Sequence, residues 1–297
     1  MLDNDDFTQD LKSLIGSSTT ADATHRRAFL KTTIGAGFAA AVLPVSANSV
    51  IKTDTVGLTA GEITLTVNGQ KVPVYSAQPE GKTGLPVVLV ISEIFGVHEH
   101  IADVARRFAK LGYLALAPNL FERQGDPSKY GSIAEIMSEV VSKVPDAQVM
   151  TDLDACVAHA KANGGNTDKL GITGFCWGGR ITWLYAAYNP NVKAGAAWYG
   201  RLVGEKTPLT PTHPVDIAPT LRVPVLGLYG GKDEGIPLAT VDQMRSALAT
   251  GNSKSEFIIY PNAGHAFHAD YRPQYVAADA KDGFARTLAW FRSRGVA

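Results

Sequence analysis

Lys169-Leu170-Gly171-Ile172-Thr173-Gly174-Phe175-Cys176-Trp177-Gly178-Gly179 is the stretch that decides the fold of this chain. Lys169 to Phe175 reads as a strand, and Trp177 to Tyr188 as a helix, so Cys176 falls at the turn between them. The glycines at 174 and 178 leave room for a tight turn whose central residue is strained and projects its side chain above a sheet. That place is also a helix N-terminus, where free N–H groups and the helix dipole favour a thiolate. Cys176 is therefore a candidate nucleophile. Two competing readings stand beside it. One is a buried structural cysteine in a glycine-rich turn. The other is a disulfide to Cys156, the only other cysteine, which lies in the amphipathic stretch 147–162 and reads as an ordinary core residue.

Outward from this turn, strands and helices alternate. Pro86 to Ser92 is a continuous apolar run, as expected for a strand buried on both faces. His98 to Leu111 has helical spacing, with Ile101, Val104, Ala105 and Phe108 on one side. Strands are expected at 113–117, 192–199, 223–229 and 255–260, and helices at 133–144, 147–162, 237–249 and 277–294. Glu62 to Ala77 reads as two strands around Asn68-Gly69, a type I′ hairpin signal. This order implies a mostly parallel sheet with helices on both faces, and ligands in such sheets bind at the carboxyl ends of the strands.

The acid and the base are sought at those ends. The strand 223–229 runs into Gly230-Gly231-Lys232-Asp233, and the strand 255–260 runs into Pro261-Asn262-Ala263-Gly264-His265. Nucleophile, acid and histidine then occur in the chain order of a catalytic triad on an α/β-hydrolase fold. His265 would accept the thiol proton and return it to the leaving group, and Asp233 would orient the imidazole. His268 is expected to line the pocket. Taken singly, Asp233 and His265 read as ordinary loop residues; it is their joint placement that points to catalysis.

Residues 1–47 form a separate object. The first 24 are polar, acidic and without hydrophobic periodicity, and are expected to be disordered. Arg26-Arg27-Ala28-Phe29-Leu30-Lys31 precedes a weakly apolar run, Thr32 to Leu43, and Val45-Ser46-Ala47 suits a cleavage site. This layout predicts a twin-arginine-type export signal, read by the export machinery rather than serving as a stable membrane anchor, and a periplasmic or secreted mature chain. Roughly 250 residues then remain, 48–297, which fits one α/β domain. Formal net charge is zero, so nothing points to a nucleic-acid partner.

Several segments together resemble the dienelactone hydrolases (carboxymethylenebutenolidases) over about residues 57–296. These are Ser92-Glu93-Ile94-Phe95-Gly96-Val97, Ala117-Pro118-Asn119-Leu120-Phe121, Gly174 to Gly179, Gly230 to Asp233 and Ala263-Gly264-His265-Ala266-Phe267. The resemblance implies a Cys176, Asp233 and His265 triad, with backbone N–H groups of Ile94 and Trp177 forming the oxyanion hole. It also implies that Glu93 helps to control ionisation of the thiol; from the residues alone, Glu93 reads as readily as a cap of the following helix. The family holds the substrate's carboxylate with arginines. Arg123 matches one; the other falls at Ala269, a departure for which nearby Arg272 is a replacement candidate. Tyr199, at the end of its strand, joins the substrate-binding candidates.

The expected activity is cysteine-dependent hydrolysis of a small-molecule lactone or carboxylate-bearing ester, without metal or organic cofactor. His98-Glu99-His100 is a poor metal face, because two ligands alternate by two at a helix start. The alternatives are a broader esterase or thiol acyl-transfer enzyme on the same triad, and a non-catalytic binding module that has kept the fold.

Overall fold

The computed structural model describes residues 50–297, so the expectations for residues 1–47 lie outside the described residues. Strands β1 (Leu58–Val67) and β2 (Gln70–Pro79) form the expected hairpin. Asn68 (φ 50°) and Gly69 (φ 78°) make its two-residue turn, both in the left-handed region that a type I′ turn requires. The parallel part contains β3 (Leu85–Ile91), β4 (Leu114–Pro118), β5 (Gly165–Phe175), β6 (Val192–Trp198), β7 (Val225–Gly230) and β8 (Glu256–Tyr260). Sheet order is β1-β2-β4-β3-β5-β6-β7-β8, antiparallel only where β2 meets β1 and β4. This is the α/β-hydrolase arrangement expected from the alternation.

Among the described residues the helices are α1 (Glu99–Lys110), α2 (Ile133–Glu139), α3 (Asp146–Ala162), α4 (Trp177–Tyr188), α5 (Pro214–Ile217), α6 (Leu238–Ala249) and α7 (Ala277–Ser293). A capping box starts α2: the Ser132 hydroxyl accepts from Glu135 N, and the Glu135 carboxylate accepts from Ser132 N. The expected helix 133–144 stops early. Val140 leaves helical dihedrals (φ −122°, ψ −67°), and a 3₁₀ turn follows at Val141–Lys143. Val140 and Val141, on either side of the break, are both buried.

Val87 to Ile91 are fully buried, as a strand covered on both faces must be. The chain leaves β3 to build β4 on one side, then returns to build β5 on the other. The carboxyl ends of β3 and β5 thus meet at a topological switch point, where open α/β sheets bind ligands. Ser92-Glu93-Ile94 follows β3 and Cys176 follows β5.

Candidate active site

Sterics explain the glycines around Cys176. A Cβ on Gly174 would lie 2.2 Å from Gly178 O. One on Gly178 would lie 2.4 Å from Ile91 O, and one on Gly179 2.5 Å from Trp198 O. Both are backbone contacts that cannot give way, so the turn presses against β3 and β6. Cys176 itself has φ 54° and ψ −116°, a strained conformation for a residue with a side chain, and its N–H donates to Trp198 O at 3.0 Å. This is the tight strand–turn–helix elbow that the sequence predicts, with Cys176 at its centre.

The elbow packs against the end of β3 and the loop that carries Ile94. Trp177 is the first residue of α4, so its N–H has no acceptor within the helix. Ile94 lies in the loop that Gly178 touches through Ile91 and Ser92. Cys176 and Cys156 are both free thiols, which removes the disulfide reading. Cys156 is fully buried, and burial, then Asp152, pushes its thiol well up and leaves it inert.

Asp233 and His265 come together because the β7 and β8 loops interlock. Gly231 N donates to Tyr260 O and Lys232 N to Ala263 O, while a Cβ on Gly230 would lie 2.5 Å from Ala263 O. His265 Nδ1 donates to Asp233 Oδ2 at 2.7 Å, and Asp233 Oδ1 accepts from Gly235 N and Ile236 N. The acid is therefore held on both oxygens. Burial alone would lower the basicity of His265, but the Asp233 carboxylate and the Cys176 sulfur outweigh it, and the imidazole is raised well above its usual 6.5. Its Nε2 has no hydrogen-bond partner of good geometry among the described residues, although Cys176 is near enough to act on it. Ala266, immediately after it, has φ 61°, a second strained position in the candidate site.

Glu93 is buried at the mouth of β3. Its Oε2 accepts from the Tyr271 hydroxyl, and its Oε1 has no hydrogen-bond partner among the described residues. The fully buried Tyr199 has φ 37° and packs edge-on to His265, with ring centres 5.0 Å apart. Burial, then Glu93 and Cys176 close by, keeps its hydroxyl protonated well past its usual range. Arg272 is buried, lies over the Phe95 ring at 5.5 Å and is close enough to Tyr199 and Tyr271 to act on both hydroxyls.

Two expected substrate contacts are placed differently. Arg123 has its fork on Asp152 of α3, at 2.6 and 2.8 Å, so both Nη groups are engaged inside the protein. His268 is stacked on Phe175 (4.7 Å, 25°) and against Trp198 (4.6 Å), buried in the aromatic packing. Burial, then His100 and Arg107, holds its imidazole well below the usual value and so neutral. Ala269 is fully buried in the same turn.

Sequence reasoning did not find Tyr271, nor the charged network under α1. Asp103 and Arg106 are buried on that helix. Asp103 pairs with Arg106 and Arg107, and Arg107 also pairs with Asp270, which takes a hydrogen bond from His100 Nδ1 at 2.8 Å. The only available signal was an acidic and basic pair interrupting the apolar face of a helix.

A cysteine at the elbow after β5, with an acid on the loop after β7 and a histidine on the loop after β8, fits an α/β-hydrolase. The dienelactone hydrolase family matches residues 72–294, and the chain belongs to that family. A carboxymethylenebutenolidase homologue of Methylorubrum extorquens is 57% identical over 292 residues, 98% of this chain and 99% of the relative. One of Escherichia coli K12 is 52% identical over 267 residues, 90% of this chain and 98% of the relative. The crystal structure of a dienelactone hydrolase homologue from Klebsiella pneumoniae is 56% identical, superposes with a TM-score of 0.78, and covers 79% of this chain and 98% of that one. The protein is a hydrolase of this family.

Proposed function

We propose that the chain hydrolyses a lactone or carboxylate-bearing ester through an acyl-enzyme on Cys176. One observation carries the reading: the strained elbow presents Cys176 on the same carboxyl edge as a His265–Asp233 pair bonded at 2.7 Å. Cys176 Sγ attacks the carbonyl carbon, and its proton passes to His265 Nε2. The oxyanion lies against the N–H groups of Ile94 and Trp177. Collapse breaks the C–O bond, and His265 protonates the leaving alkoxide. Water then attacks the thioester with His265 as base, and the thiolate leaves and recovers the proton. Glu93, which like Cys176 lies close to Tyr199, is the group assigned to control the thiol. Arg272 and Tyr199 take the substrate's acid end, a role supported by their burial beside Glu93 and by the engagement of Arg123 elsewhere.

The test is turnover of p-nitrophenyl acetate and a lactone panel by the mature protein and by Cys176→Ala. Loss of turnover is expected; wild-type rates in the variant overturn the assignment. In the same panel, Arg272→Ala should raise KM for substrates with a free carboxylate and leave neutral esters unchanged. An equal effect on both removes Arg272 from substrate binding.

The same proposal includes export by the twin-arginine route, supported by Arg26-Arg27 before Phe29-Leu30-Lys31. Replacing both arginines by lysine should retain the protein in the cytoplasm of the expressing cell. Unchanged fractionation refutes the route.

A further inference from the structure

Tyr271 lies six residues after His265 and has no part in the triad, yet its hydroxyl donates to Glu93 Oε2. Its ring is wedged by the segment that runs from Glu93 into α1. Ring centres lie 4.6 Å from His98, 5.1 Å from His100 and 6.4 Å from Phe95. The residue that donates to Glu93 is therefore clamped by the same piece of chain that carries Glu93.

The backbone beside Tyr271 is anchored as well. Asp270 accepts from His100 Nδ1 at 2.8 Å, Arg107 Nη2 at 3.0 Å and Ile51 N at 3.1 Å. Arg107 is on α1, and Ile51 belongs to the segment laid across it, where Thr53 O accepts from Arg106 Nε. Loop and helix cannot slide past one another without breaking several charged hydrogen bonds in a buried place. The position of the Tyr271 hydroxyl is set by packing on both sides of its residue. Burial, then Glu93, also keeps that hydroxyl protonated well beyond its usual range, so it remains a donor.

One carboxylate oxygen is thus fixed and the other is not. Glu93 Oε1 has no hydrogen-bond partner among the described residues, and the hydroxyl of Tyr199 lies close enough to feel both Glu93 and Cys176. We infer that Tyr271 is a positioning residue for Glu93: its hydroxyl holds the carboxylate in one orientation, so that only Oε1 remains for the thiol and Glu93 does not take up the thiol proton before substrate arrives. The inference builds on Cys176 as the nucleophile of the proposed function.

The test compares the wild-type chain with Tyr271→Phe, Glu93→Gln and the double variant. Two quantities are read: the iodoacetamide alkylation rate of Cys176 at one neutral pH, by peptide mass spectrometry, and kcat and KM for p-nitrophenyl acetate. Buried Cys156 serves as the unlabelled internal control. Tyr271→Phe should be alkylated about tenfold faster, the size expected for losing one hydrogen bond to a charged group. Its kcat should fall while KM holds, since the carboxylate no longer has a set position. Both effects should vanish in the Glu93→Gln background. Wild-type alkylation in Tyr271→Phe overturns the inference, and so does an acceleration that persists without Glu93. Glu93→Gln alone should keep the wild-type alkylation rate, because the held carboxylate takes no proton from the resting thiol; slower alkylation in that variant overturns the inference, and this comparison decides the matter if Tyr271→Phe does not fold. The alkylation cycle needs no turnover, so a Cys176→Ala variant that still hydrolyses ester sinks the acyl-enzyme reading separately.

Discussion

Replacing Asp233 by asparagine probes the acid–base pair with almost no change of shape. In the native site, Oδ2 takes the His265 Nδ1 proton at 2.7 Å, while Oδ1 accepts from Gly235 N and Ile236 N at 3.0 and 3.1 Å. An asparagine that keeps its oxygen on the two N–H groups must point its NH₂ at Nδ1. That orientation forces the proton of a neutral imidazole onto Nε2, so the base can no longer take the thiol proton. The flipped amide restores the productive tautomer but sets NH₂ against two backbone donors. Each stranded donor costs about 1–3 kcal/mol, so the flip costs roughly 2–6 kcal/mol in total. Turnover should therefore fall by about 30-fold to 10⁴-fold, the range spanned by that cost and by the same substitution in serine proteases. The assay is kcat for p-nitrophenyl acetate at neutral pH, with thermal melting to show that the fold survives. KM should change little, because Asp233 touches no substrate. A loss of less than tenfold in a folded variant would refute this account of the pair.

The raised imidazole of His265 makes stability depend on pH with a definite sign. Its contribution is fully present below the unfolded value near 6.5 and is lost as pH rises through the raised folded value. Melting temperature should therefore drop on the alkaline side more in the wild type than in His265→Gln; parallel curves would remove the effect. Gly178→Ala puts a Cβ 2.4 Å from Ile91 O and should destabilise by about 3 kcal/mol in denaturant titration. Gly61→Ala in β1 meets nothing within 4 Å and should stay within about 0.5 kcal/mol, so equal losses would contradict the steric reading. Arg123→Ala strands the buried Asp152 carboxylate and should cost about 3 kcal/mol, while Arg123→Ala/Asp152→Ala together should recover much of it. A stable Arg123→Ala with raised KM for acids would return Arg123 to the substrate.

Much of the candidate site was legible because each of its chemical groups follows a strand. Cys176, Asp233 and His265 occur in triad order after runs that read as buried strands, and strand ends in a parallel sheet share one edge. The two-residue hairpin turn was legible for a local reason, since Asn68-Gly69 tolerates positive φ at both positions. Helix α2 was read too long because its periodicity continues past Val140, where the backbone leaves helical dihedrals and passes into a 3₁₀ turn. Arg123 is the sharpest contrast. Its place in the chain matches a carboxylate clamp, but spacing says nothing about Asp152, 29 residues away on α3, which holds its fork.

The order of the chemistry, the glycines that make room for a strained cysteine and the alternation that builds a parallel sheet are properties of the sequence. They depend on backbone preferences and on neighbours a few residues apart. The partnership of Glu93 with Tyr271, the pairing of Asp270 with His100 and Arg107, and the turning of Arg123 toward Asp152 belong to the tertiary structure alone. Each joins residues from separate elements whose meeting is set by how helices and loops pack on the sheet. Burial then requires every charge to find its partner wherever the fold has brought one.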